Sequence, residues 1–263
     1  MIYKNQLLIF LFVITSFSFS SDNGKVNSFK IDSEDFSVDN LGFIYVLDNS
    51  ILKKYNQKGD VLNYYTNTAY RNISNVDVSN PFKIILFNYD FQMLFILDNK
   101  LHLSSKIDLK ELGYSNIKGV YSSFDNGFWL YDEIQNSYIK SDDNLHEIFR
   151  RKIDVKVNVK TKYVYSFSNK LYLFYENAEI FTLNNTGIIE KHSFNREYDG
   201  FVYVDNSKIY CQKDSMVSVY SLDFVELGMF SMPYNDIKKA VFKNKYCFFL
   251  RDNNQLDIFS NCQ

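Results

Sequence analysis

Three histidines, His102, His146 and His192, fall 44 and 46 residues apart. One imidazole per repeating unit is not the local grouping of a metal centre, where ligands arrive as His-Glu-x-x-His or paired Cys-x-x-Cys. All three lie in or beside segments that read as outermost strands, so they are expected far apart, as solvated surface side chains. Cys211, Cys247 and Cys262 have no metal-ligand spacing either; one disulfide among them fits an oxidising compartment, with the pair left open. Oxygen donors suited to calcium do recur near innermost strands, at Asp39, Asp77, Asp125, Asn158 and Asp205. Asp39 and Asp125 also open Asp-x-x-Gly and Asp-Asn-Gly turns, where a carboxylate caps its own backbone. There is no Gly-x-Ser-x-Gly elbow, Walker loop or EF-hand loop. Catalytic and cofactor residues are therefore expected to be none, with calcium entering only under an enzymatic alternative.

The tyrosines carry more information. Tyr70, Tyr114 and Tyr234 open a repeated Tyr-x-Asn/Asp-Ile pattern, and Tyr198-Asp-Gly-Phe201 is a looser copy. With Arg71, Arg196 and the hairpin residues Tyr89 and Phe91, they would gather phenols and guanidinium groups on one rim. Such a rim binds an extended peptide or a glycan by stacking and hydrogen bonding. The competing expectation is that each ring wedges between neighbouring units as part of the repeat.

The elements behind these positions are short strands. Runs of four to eight residues rich in Val, Ile, Tyr and Phe alternate with Asn, Asp, Ser and Lys, and helical periodicity is almost absent. One unit is clear: Phe36 to Asp39, Gly42 to Asp48, Ile51 to Asn56 and Gly59 to Tyr65. The Asn or Asp closing its third strand recurs at Asn56, Asp98, Asp142, Asn184, Asp223 and Asn261, spaced 42, 44, 42, 39 and 38 residues. Six four-stranded units of this length describe an all-β, six-bladed β-propeller of antiparallel blades. The last unit lacks an outer strand, and Val26–Ile31 supplies a spare one. Pairing it beside Gln255–Phe259 closes the ring and removes an exposed edge.

The first unit resembles the NHL-type repeat at Asp39, Gly42, Ile44-Tyr45-Val46, Asp48 and Gly59. Phe124-Asp-Asn-Gly127-Phe-Trp129 and Asn185-Thr-Gly187 are degenerate echoes. The whole chain is similar to exported propeller proteins of Bacteroidota-like bacteria. The resemblance implies a fold and a compartment but no activity, since propellers host enzymes and scaffolds alike. Lactonase-like six-bladed enzymes hold calcium in the channel, which makes a calcium-dependent hydrolase or lyase the alternative to an interaction platform.

The chain has 263 residues, 46% hydrophobic and 23% charged, with 21 Tyr and 25 Phe but only 9 Gly and 2 Pro. That composition builds a real core and excludes collagen-like and disordered chains. A formal charge of −2 offers nucleic acid no electrostatic footprint. Residues 1–20 read as a signal peptide: Lys4, the apolar run Leu7–Ile14, then Ser18-Phe19-Ser20. The run is too short for a bilayer-spanning helix of about 20 residues, and no cysteine follows it for lipid attachment. The expectation is a single propeller domain over residues 21–263, exported to the periplasm or beyond, without a transmembrane segment after cleavage. Its partner would be an envelope protein or a surface polymer.

Overall fold

A computed structural model of the chain describes residues 17–18, 24–154, 160–194, 198, 200, 202–205 and 207–260. Six sheets of antiparallel strands surround a central channel, and the described residues contain no helix. From the channel outward, blade I runs Ser37–Val38, Ile44–Asp48, Ile51–Tyr55 and Val61–Thr66. Blade II runs Asn75–Asp77, Ile84–Asn88, Met93–Leu97 and Leu103–Asp108, and blade III Ile117–Ser122, Phe128–Asp132, Ser137–Ser141 and Glu147–Lys152. Blade IV runs Thr161–Phe167, Lys170–Tyr175, Ile180–Asn184 and Ile189–His192, and blade V Val202–Val204, Lys208–Lys213, Met216–Ser221 and Glu226–Ser231. Blade VI takes Ile237–Lys243, Tyr246–Arg251 and Gln255–Ser260 from the end of the chain and Lys25–Lys30 from its beginning.

That closure is the one the spare strand predicts, shifted by a residue. Phe29 pairs with Leu256 and Asn27 with Ile258. The buried Asp257 carboxylate takes an ion pair from Lys25 at 2.9 Å and a hydrogen bond from the Ser28 hydroxyl. A further two-residue strand, Phe17–Ser18, pairs in parallel with Phe230–Ser231 on the outer edge of blade V. The sequence assigns those residues to the expected leader.

Burial explains the strand pattern. Second and third strands are covered on both faces by neighbouring blades, so Ile84–Asn88 and Ser137–Ser141 are buried throughout, the first apolar up to Asn88 and the second burying Ser137, Lys140 and Ser141 with its Tyr and Ile. Outer strands such as Val61–Thr66 alternate. The apolar clusters sit at the seams: Ile85, Phe87 and Leu94 of blade II pack with Val120, Phe128 and Leu130 of blade III. Polar locks cross the same seams. The buried Gln92 amide accepts the Ile117 N–H and donates to its carbonyl, both at 2.9 Å.

The periodic Asn or Asp is the device that turns each third strand into the fourth. The Oδ1 atoms of Asn56, Asp98, Asp142 and Asn184 each accept the backbone N–H groups two and four residues on. In blade V the post belongs to Ser221, whose hydroxyl accepts from Asp223 and Val225. This corrects the expected marker at Asp223, because a serine hydroxyl performs the same capping and hides the period from a search for Asn or Asp. Asn261 lies outside the described residues. The third turn position is left-handed throughout: Gly59 and Gly187, but Leu101, Leu145 and Phe224 in the other three, at φ +62°, +66° and +63°.

Candidate functional site

An antiparallel four-stranded meander puts its first hairpin at one end of the channel, and its second hairpin and the blade connections at the other. The tyrosine rim belongs to the second end. Tyr70, in the connection into blade II, meets Phe91 and Phe95 with ring centroids 5.3 Å away in each case, and Lys106 Nζ lies 4.4 Å from its centroid. Tyr114 is 8% exposed, and its hydroxyl donates to the Leu145 carbonyl at 3.0 Å. The Tyr198 hydroxyl donates to the Tyr175 carbonyl, and its ring packs on Phe194. Tyr234 packs on Phe259 under the Arg251 guanidinium, 4.4 Å from the ring centroid. Among the described residues no ring contact joins any two of these four. Tyr114 is buried and the other three are half-buried, and among the described residues only Tyr70 is in ring contact with another residue of the expected rim.

Blade II supplies the most open part of that rim. Phe91 is 50% exposed beside Tyr70. The Tyr89 hydroxyl donates to Glu133 at 3.1 Å, with Lys118 over its ring at 4.2 Å. The Arg71 side chain is exposed, while its carbonyl accepts from Asn88. Ile134, 75% exposed in the neighbouring hairpin, was not anticipated; a lone apolar residue in a turn carries no periodic signal. Arg196 lies outside the described residues.

The channel itself is a cavity of about 980 Å³. Innermost strands lack a partner on their channel side, and side chains of the neighbouring blade fill that role. Asn75 Oδ1 accepts the Val120 N–H at 2.9 Å and Asp77 Oδ2 the Ser122 N–H at 2.6 Å. Across the ring, the Tyr163 and Tyr165 hydroxyls donate to the Gly200 and Val202 carbonyls. Desolvation pushes the Tyr165 phenol well above its ordinary pKa.

The calcium candidates are engaged in the same way. Asp39 accepts from the N–H groups of Leu41 and Phe43 and from the Tyr45 hydroxyl. Asp125 pairs with the buried Lys140 at 2.9 Å, and Asp205 accepts from Ser207 and Lys208. Asn158 lies outside the described residues. Among the described residues no group of three or more His, Cys, Asp and Glu is placed to hold a metal ion. His102 and His146 are exposed and sit against the turn-capping Asp98 and Asp142. His192 departs from the expected surface imidazole: it stacks on Phe224 at 4.1 Å and shares a hydrogen bond with Thr182, and burial lowers its pKa.

Cys211 is a buried free thiol whose pKa desolvation pushes far up, and Cys247 is disulfide-bonded. No helix of the described residues is long and apolar enough to cross a membrane.

No protein-family model and no curated protein matches the sequence. Solved structures do match in fold. Virginiamycin B lyase from Staphylococcus aureus aligns at TM-score 0.58 with 10% identity, covering 86% of this chain and 79% of that one. BamB from Moraxella catarrhalis aligns at 0.52 with 9% identity, over 90% and 99%. The Pan2 WD40 domain of Neurospora crassa reaches 0.63 with 6% identity, over 91% and 95%. At these identities the likeness is one of architecture alone.

Proposed function

We propose that this chain is an exported β-propeller with NHL-like blades, acting as a non-enzymatic interaction platform for an envelope protein or surface polymer. The observation that carries the reading is the blade II rim, where exposed Phe91 and Arg71 flank the half-buried Tyr70 beside the Tyr89–Glu133–Lys118 group. Aromatic residues and arginine surrounded by screened charge make up the usual composition of a recognition patch. BamB and the Pan2 WD40 domain are propellers of similar architecture. The disulfide at Cys247 supports an oxidising compartment and hence export. The calcium-dependent hydrolase or lyase of lactonase type finds less support, because Asp39, Asp77, Asp125 and Asp205 already serve hairpins and seams.

Photo-crosslinking in the source cell tests this reading. A photoreactive phenylalanine analogue at Phe91 or Tyr89 should give a discrete adduct, and the same group at Ile188, on an outer hairpin, should give none. Uniform labelling, or no adduct from the rim, overturns the platform reading. Calcium-dependent turnover of a lactone by the purified protein would establish the alternative.

A further inference from the structure

The outermost strand of each blade is hydrogen-bonded to its own sheet on one side only. Such an edge is a template for pairing with another chain, and proteins commonly blunt it with charge. Blades II to VI follow that rule. Each has at least one Lys, Arg or Glu in its outer strand, from the single Glu226 of blade V to Arg150, Arg151 and Lys152 of blade III. In blade V, Phe17–Ser18 also covers part of the edge.

Blade I departs from the rule. Its outer strand Val61–Thr66 reads Val-Leu-Asn-Tyr-Tyr-Thr and carries no charge. It exposes three large apolar side chains, Val61 at 52%, Leu62 at 44% and Tyr64 at 68%. Among the described residues no other outer strand exposes more than one. The nearest charges are already engaged. Lys53, opposite Tyr64 in the register, pairs with Asp32 and Asp48 at 3.4 and 3.7 Å. Lys54 donates to the Asn99 carbonyl at 2.7 Å, and Asp60 accepts from the Asn56 amide at 2.9 Å.

The absence of charge selects the occupant. A charged strand laid on this edge would desolvate its charge against apolar side chains that offer no counter-ion. The same strand of a second copy brings none. Pairing a strand with itself about a two-fold axis is self-complementary and closes at two subunits. The same operation on blade III would crowd Arg150 and Arg151 against like charges. Opposite residues of an antiparallel pair share a face of the sheet, so an axis perpendicular to the sheet must pass through a residue. Leu62 is the extra residue of a bulge, which leaves Asn63–Thr66 as the regular run. We propose that this chain forms a two-fold dimer through blade I, its outer strand paired with that of a second copy about an axis at Tyr64. Tyr64 then faces its own copy, and Asn63 faces Tyr65 of the other chain. The two blades become one continuous sheet. This inference does not depend on the rim of blade II or on the compartment.

Sedimentation velocity of the native chain and its variants, expressed in the source cell and compared over a wide concentration range, tests it. The native chain should show a monomer–dimer equilibrium without larger species. Tyr64→Lys should weaken that equilibrium at least tenfold, because two ammonium groups then stand directly opposite each other. An equimolar mixture of Tyr64→Lys and Tyr64→Glu should recover dimer that neither variant forms alone. Thr66→Lys, at a second exposed position, serves if the Tyr64 variants do not fold. Tyr64→Cys should cross-link to a dimer on mild oxidation, since opposite Cα atoms of an antiparallel pair lie within disulfide reach, whereas Ile148→Cys on blade III should not. A native chain that is monomeric at every concentration overturns the proposal. So does a dimer that survives Tyr64→Lys and Thr66→Lys, or one that Tyr64→Cys fails to cross-link.

Discussion

Lys83 shows how the seams use charge at the scale of single residues. Its ammonium reaches from blade II to the Asn126 and Gly127 carbonyls of blade III and lies 3.6 Å from the Phe128 ring centroid. Burial draws its pKa down to about 8 from the usual 10.5. A base with a depressed folded-state pKa binds fewer protons folded than unfolded between those values, so its contribution to stability rises with pH from about 8 and levels off near 10.5. Urea midpoints between pH 7 and 10 should climb in the native protein and be flatter in Lys83→Met. A second residue-scale test concerns the left-handed turn positions. Leu101 sits at φ +62° but is 2% exposed. Leu101→Gly relieves about 1 kcal/mol of backbone strain and forfeits about 3 kcal/mol of packing, for a net loss of about 2 kcal/mol. Phe224→Gly, at φ +63° with only a half-buried ring, should lie near zero. Chemical denaturation of the two variants gives the comparison.

Strands and hairpins carry a different set of consequences. Each capping Asn, Asp or Ser holds two backbone N–H groups, and a net hydrogen bond contributes about 1 kcal/mol. Asp98→Ala and Asp142→Ala should therefore each lower the denaturation midpoint, with Asp98→Asn nearly neutral, as Asn56 performs the same role in blade I. The closing strand matters more. Removing residues 1–31 strips Lys25–Lys30 from Gln255–Ser260, deprives the buried Asp257 of Lys25 and Ser28, and exposes a sheet edge. That truncation should melt far below the full chain or aggregate. A chain beginning at Asp22 keeps the whole strand and should melt within a few degrees of one beginning at Met1. Scanning calorimetry of the two truncations separates a closure strand from an accessory one.

At the scale of the whole molecule the predictions concern compartment and covalent closure. If the chain is exported as proposed, mass spectrometry of protein from its source should find an N-terminus near Ser21 and no lipid. Cys211 is a free thiol, whereas Cys247 is disulfide-bonded. A non-reducing peptide map should recover that link. Because Cys247 sits in blade VI, the sheet that closes the ring, reduction should lower the melting temperature of the ring. A cytoplasmic, fully reduced protein with Met1 intact would contradict the export proposal.

Architecture was legible in the residues because a propeller blade is a local object. Strand, turn and strand follow one another in the chain, so the period of Asn56, Asp98, Asp142 and Asn184 and the unbroken apolar second strands can be read without knowing any long-range contact. The missing outer strand of blade VI and the spare strand near the N-terminus were legible for the same reason, by counting. Ser221 escaped because the backbone asks for an oxygen acceptor and not for a particular side chain. What the channel offers was decided only by closing the ring. Asp39 and Asp125 read as turn caps and Asp77 as a calcium candidate, and bringing blade II beside blade III gave Asp77 to the Ser122 N–H. The same closure brought Lys243, on blade VI, into one cavity with Asp77 of blade II. Hydrogen bonds within a turn depend on sequence neighbours, whereas the partners of a channel side chain come from other blades, so no local pattern announces them.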